Sequence, residues 1–95
     1  MEFDWDASKA KGNLKKHGVA FDEALSVFAD PLARIFDDPD HSLDEPREII
    51  IGYSVKARLL VVGFAERSDR IRIIHARRAT KAERKHHEEE ITETP

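Results

Sequence analysis

Apolar positions recur with two periods along this chain, and the change falls at Pro31. Before it, Ala7, Ala10 and Leu14 share one helical face behind Asp6, a good N-cap residue, and Gly18 stands where a helix can close in a left-handed turn. This predicts a helix over 7–17. Phe21, Ala24, Leu25 and Phe28 fall at i, i+3, i+4 and i+7, predicting a second helix over 21–29 that Asp30-Pro31 stops.

Beyond Pro31 the period becomes two. Residues 32–36 read as a strand cut short by Asp37-Asp38-Pro39-Asp40, with a polar loop over 41–46. EIIIGY (48–53) and RLLVVGFA (58–65) read as a hairpin turning at 54–57, with Gly52 and Gly63 marking bulges or close backbone approach. Ser68-Asp69 turns the chain into a strand over 70–76. Thr80-Lys81-Ala82-Glu83 is a capping box that opens a last helix, expected to reach about residue 90 before the tail frays over 91–95. Residues 1–5 alternate weakly and suit a short edge strand. The fold class is α+β: two N-terminal helices on a mostly antiparallel sheet of about four strands, plus a C-terminal helix.

Composition narrows the class. Ninety-five residues suit one domain spanning 1–95 with a modest core. No cysteine is present, which excludes disulfides and thiolate zinc sites and fits a reducing cytoplasm. The charged N-terminus MEFDWDASK has no signal-peptide core, and the apolar runs are far too short to span a membrane. A soluble, cytoplasmic protein is expected. The net charge of −3 hides an asymmetry: residues 22–48 carry nine acidic side chains against Arg34 and Arg47, and residues 67–87 carry eight Lys/Arg against Asp69 and Glu83. One face suits a polyanion and another a basic partner, although a merely dipolar surface would look the same.

The candidate chemistry lies in IRIIHARRATKAERKHHEE, residues 71–89. Strict alternation puts Ile71, Ile73, His75 and Arg77 on one side of the strand, and Arg70, Arg72, Ile74, Ala76 and Arg78 on the other. On the helix, Lys81, Arg84, Lys85 and Glu88 form one exposed arc, with Thr80, Glu83, His87 and Ile91 beside it. Arginine grips phosphate with two donors, histidine exchanges protons near neutrality, and a helix N-terminus attracts anions. Such groups can cleave RNA without metal: a base takes the 2′-hydroxyl proton, cations stabilise the pentacovalent phosphate, and an acid protonates the leaving oxygen. Glu83 suits the base and the helix cap equally. The arginines also suit an ordinary sheet edge, with His75 half-buried beside them. No metal site is expected, because His86 and His87 diverge by about 100° on a helix and lack a partner ligand motif. No cofactor is expected either, since GxGxxG, P-loop and GxSxG patterns are missing. Lys15-Lys16-His17 forms a second basic patch.

Two blocks carry a family resemblance: WDASKAKGNLKKHGVAF at 5–21, and RIRIIHARRATKAER at 70–84. With the intervening DPDHSLDEPREIIIGYS, they resemble the BrnT toxins over about residues 3–89. That resemblance implies a RelE-like fold and a type II toxin acting as a metal-independent endoribonuclease that leaves a 2′,3′-cyclic phosphate and arrests translation. It implies neutralisation by a BrnA-type antitoxin in a 2:2 complex that binds operator DNA through the antitoxin. Carried over by position, Arg77, Lys81, Glu83 and Arg84 are catalytic candidates, joined by His75 and His87, which stand where the family often has Ser and Tyr. Arg72, Arg78, Lys85, Lys15 and Lys16 are candidates for holding RNA. A non-catalytic module that binds nucleic acid or a protein partner through the same cations is the alternative.

Overall fold

The structure, a computed structural model, describes residues 2–38 and 46–92. Helix α1 spans Ala7–His17. Asp6 accepts a hydrogen bond from the Lys9 amide at 3.0 Å, and Gly18 takes φ 70° while its amide donates to the Leu14 carbonyl. Both ends thus form as their residues predict. The expected second helix is split: α2 covers Phe21–Leu25, and Ser26–Ala29 tighten into a 3₁₀ turn. Ser26 accounts for the change, because its hydroxyl donates to the Glu23 carbonyl at 2.6 Å and competes with the α-helical ladder. Asp30 then stops the helix, accepting from the Leu32 amide at 2.9 Å.

Five strands follow in the sheet order β1-β5-β4-β3-β2: β1 Glu2–Asp4, β2 Arg34–Asp37, β3 Glu48–Tyr53, β4 Leu59–Arg67 and β5 Arg70–Arg78. The sheet is therefore larger than the expected four strands, and it is mixed. β1 runs parallel to β5, with Glu2 opposite Arg70 and Asp4 opposite Arg72. A three-residue strand carries too little pattern to announce its partner. Tertiary contacts seat it: Phe3 packs on Phe28 with ring centroids 5.1 Å apart, and Asp4 pairs with Arg72 at 3.2 Å. β2 starts at Arg34 because Pro31 and Leu32 are held in the turn below Asp30. β4 and β5 extend past their expected ends to Arg67 and Arg78. The C-terminal helix α3, Lys81–Thr92, outlasts its expected end by one or two residues. Of the loop expected over 41–46 only Pro46 is described, and residues 93–95 of the expected tail lie outside the described residues.

The pairing of β4 with β5 corrects the alternation. Gly63 faces His75, but Phe64 faces Ile73, so Ile74 is an extra residue in a β-bulge. The bulge reverses side-chain parity halfway along β5. Ile71, Ile73 and Ala76 point to one face, whereas Arg72, His75 and Arg77 point to the other. Ile71 and Ile73 therefore do not share a side with His75 and Arg77.

The first face is the core. Val62, Phe64, Ile71 and Ile73 pack under α1 and α2 with Val19, Phe21, Ala24 and Val27. Two ties fix the helices there. Glu23 on α2, almost wholly buried, accepts from Ser54 Oγ at 2.7 Å and from Arg58 Nε at 2.9 Å, which pins the β3–β4 turn. The Arg58 hydrogen bonds hold the Glu23 carboxyl below its ordinary range. Asn13 on α1 makes the other tie. β1 ends at Asp4 and leaves the upper part of β5 without a neighbour strand. There the Asn13 amide donates to the Ala76 carbonyl at 2.8 Å, and its carbonyl accepts from the Ala76 amide at 3.0 Å. A side chain thereby completes the edge of the sheet.

Candidate functional site

Arg77 lies on the second face, within a row of directly paired residues that crosses the sheet: Arg34, Ile51, Val61 and Arg77. The adjoining row is Phe36, Ile49, Gly63 and His75. Four strands at a spacing of about 4.8 Å set the guanidinium-bearing ends of the first row about 14 Å apart at the backbone. In the second row Gly63 is what admits the imidazole. A Cβ there would stand 2.2 Å from His75 Nε2, so the ring lies over the bare glycine backbone.

Helix α3 crosses this face from β5 towards β2. Its start is the expected capping box: the Thr80 amide donates to Glu83 Oε1 at 2.8 Å, and the Glu83 amide donates to Thr80 Oγ1 at 3.1 Å. The same Glu83 carboxylate receives a bidentate fork from Arg77, at 2.7 Å to Oε1 and 2.9 Å to Oε2. Further along, the His87 ring packs on Tyr53 with centroids 6.1 Å apart, and Glu90 ion-pairs with Arg34. Between α3 and the sheet lies a cavity of about 270 Å³, lined by Arg34, Phe36 and Ile51 below and by helix residues including Ala82 and His87 above.

Protonation states follow from these contacts. The Arg77 hydrogen bonds, helped by Thr80, hold the Glu83 carboxyl at about 2. Glu83 is accordingly a fixed anion that orients Arg77. A carboxylate so acidic and so fully engaged is a weak proton acceptor near neutral pH. Burial pushes the His87 imidazole below its ordinary value, against the opposing pull of Asp30 and Glu88. His87 is therefore neutral at pH 7. It is 3 % exposed, and its Nε2 has no hydrogen-bond partner among the described residues.

The Arg77–Glu83 pair makes a pH-dependent contribution to stability. The folded carboxyl titrates below the unfolded value of 4.5, so the stabilisation is complete above that value and is lost as pH falls from there through about 2. Glu83→Gln is expected to lower stability at pH 7 by about 1–2 kcal/mol after allowing for solvent screening. The difference from the parent should shrink by more than half by about pH 3. Urea unfolding at both pH values checks it, and an equal difference at each would rule the pair out as its source.

The remaining candidates divide by face. His75 shares Arg77's face. Arg72 does too, but Asp4 engages it at 3.2 Å. Arg78, next to Arg77, points to the opposite face by parity and is exposed. Lys15 and Lys16 sit at the exposed end of α1, whose Asn13 binds the core side of β5, so the sheet separates them from Arg77. Lys81, Arg84 and Lys85 form the exposed outer arc of α3, and no side-chain hydrogen bond or ion pair engages them among the described residues. Arg34, Phe36 and Tyr53 were not anticipated. The alternation of Arg34 and Phe36 along β2 was visible, but only strand pairing puts them in line with Arg77 and His75. No cluster of three or more potential metal ligands occurs among the described residues, and none of their helices is long and apolar enough to cross a membrane.

This fold, a small mixed sheet with helices on both faces, matches that of a solved ribonuclease toxin. The chain belongs to the BrnT family, described as the ribonuclease toxins of type II toxin–antitoxin systems, whose family model matches residues 5–83. Among solved structures it is similar to the ribonuclease toxin BrnT of Brucella abortus. The two share 25% identity over 85% of this chain and 99% of that one, with a TM-score of 0.67. No curated protein matches the sequence.

Proposed function

We propose that this chain is the toxin of a type II pair, one domain acting in the cytoplasm as a metal-independent endoribonuclease on RNA. The observation that carries the reading is Arg77 and His75 on one sheet face, two residues apart, with the Arg77 guanidinium fixed by Glu83. Arginine has five N–H donors. Two go to Glu83 and one reaches the Arg78 carbonyl at 3.4 Å, which leaves two for the scissile phosphate. His75, on the same face, takes the proton of the 2′-hydroxyl as its oxygen attacks phosphorus. The 5′-oxygen then leaves with a proton from solvent or a second group, and a 2′,3′-cyclic phosphate remains. Lys81 and Lys85 hold flanking phosphates as point charges, and Arg84 grips one with two donors.

Incubating the purified protein with RNA in EDTA, followed by end-group analysis, tests this. A 2′,3′-cyclic phosphate is expected, and cleavage that requires added metal would overturn the mechanism. Neutralisation by a BrnA-type antitoxin, in a 2:2 complex that binds operator DNA through the antitoxin, belongs to the same proposal. Growth arrest on expression, relieved by the product of the neighbouring gene, would support it. The acidity and full engagement of Glu83 favour a second reading, in which the cations hold nucleic acid or an acidic segment of the partner without chemistry. Intact RNA that is nevertheless bound would select it.

A further inference from the structure

We infer that β2 is an interface to a second copy of this chain: two β2 edges pair antiparallel across a two-fold axis, with Ile35 opposite Ile35, and join the two sheets into one. This goes beyond the ribonuclease reading and does not depend on it.

The edge is open, and its hydrogen-bonding groups point outward. β2 ends the strand order, and among the described residues no strand pairs with its outer side. Two bonds fix the phase of its ladder. The Asp38 amide donates to the Arg47 carbonyl at 3.0 Å, and the Ser54 amide donates to the Arg58 carbonyl at 2.9 Å. Alternation then turns Arg34 and Phe36 inward to β3, and Ile35 and Asp37 present their amides and carbonyls to the outside. The other side of the sheet is managed differently, since Asn13 closes β5 beyond β1. β2 has no lysine or proline, and its pairing with β3 is regular. The usual guards against strand addition are therefore missing from it.

Burial points the same way. On the core face, directly paired residues form the row Ala76, Val62, Ile50 and Ile35. The first three are buried, whereas Ile35 is 54 % exposed. The core row runs out to the edge and stops uncovered. A two-fold axis at Ile35 continues it into the same row of the second copy. Phe36 and Leu32 are exposed beside it, which concentrates large apolar side chains along this one edge.

The strand is complementary to itself, and that selects a second copy as its occupant. A two-fold perpendicular to the sheet keeps each face continuous, so it pairs residues of equal parity. With Ile35 on the axis, Arg34 of each copy stands opposite Phe36 of the other, in the closely spaced pairs of an antiparallel ladder. Within one chain the Arg34 guanidinium already lies over the Phe36 ring, 5.7 Å from its centroid. Pairing thus sets two cations among two rings, and Glu90 neutralises each arginine from α3. Charge agrees as well. Arg34 opens β2 and Asp37 closes it, so antiparallel pairing brings the positive end of one strand to the negative end of the other. Such an isologous contact closes at two copies. The strand is short and the interface small, which suits a dissociation constant of roughly 1–100 µM. Arg77 lies three strands from the axis and stays open to substrate.

Sedimentation of the purified full-length chain, alone, from low micromolar to near-millimolar concentration tests this. A reversible monomer–dimer equilibrium is expected. Ile35→Lys replaces a side chain already exposed in the monomer, so thermal unfolding should change little while dimerisation weakens at least about tenfold. The chain has no cysteine, which makes single-cysteine variants clean reporters. Opposite α-carbons at a hydrogen-bonded pair lie about 5.5 Å apart, within disulfide reach. Ile35→Cys should therefore oxidise to a covalent dimer at least about tenfold faster than Val55→Cys, which is 79 % exposed on the β3–β4 turn. A monomer at every concentration, a dimer indifferent to Ile35→Lys, or equal cross-linking at the two positions would overturn the inference. A chain that is monomeric alone but loses its antitoxin through Ile35→Lys would assign the edge to the antitoxin and overturn it too. None of these measurements reads RNA cleavage, so this inference and the ribonuclease reading fail separately.

Discussion

Arg77→Ala is expected to lower RNA cleavage by about 100- to 1,000-fold, the usual effect of removing one preorganised donor from a developing oxyanion. Arg77→Lys should recover little of this. Lysine keeps the charge, but it cannot grip the two Glu83 oxygens and a phosphate together from one planar group. The comparison therefore separates geometry from charge. Cleavage assays on both proteins measure it, with thermal unfolding to show that each folds. Full activity in Arg77→Ala would remove the corner of β5 and α3 as the reaction centre. Retention by Arg77→Lys alone would reduce the residue to an electrostatic anchor.

Asn13→Ala should be the most damaging small substitution outside that corner. The amide side chain serves the Ala76 amide and carbonyl as well as the Val19 carbonyl, at 2.8–3.0 Å, and is 8 % exposed. Truncation strands two backbone groups of β5 at a buried edge and leaves a void beside them. About 2–3 kcal/mol of stability should be lost, since each orphaned buried group costs about 1–3 kcal/mol and water can reach part of the space. For a chain of this length that lowers Tm by roughly 10–20 °C. Calorimetry checks the value, and a shift below about 3 °C would mean that the sheet edge closes by other means.

These two residues show what the sequence discloses and what it withholds. Local rules are legible. Asp6, Gly18 and the Thr80–Glu83 box work over three or four residues, and each behaves as its chemistry requires. The β3–β4 hairpin is equally plain, because alternating aliphatic runs flank a polar turn. Asn13, by contrast, reads as a polar residue on an exposed helix. Its partner lies 63 residues away, and nothing within α1 indicates that a sheet edge there lacks a strand. The same holds for β1, whose direction depends on contacts with Phe28 and Arg72. For the site, the grouping of Arg77 with Glu83 could be anticipated from one turn of chain. The alignment of Arg34 and Phe36 with Arg77 and His75 could not, because it rests on registers among four strands.

Ile74 makes β5 a strand with two phases. Were that residue drawn into the regular ladder, the upper half would shift by a step, driving His75 and Arg77 into the aliphatic layer beneath α1 and turning Ala76 outward. Deleting it does the opposite: Ile73 and His75 become neighbours on an unbulged strand, and every side chain keeps its face. What would be lost is only the local kink and added twist. When distant relatives are aligned, one with a regular strand therefore takes a gap at this place, and without that gap an outward guanidinium is set against an inward side chain.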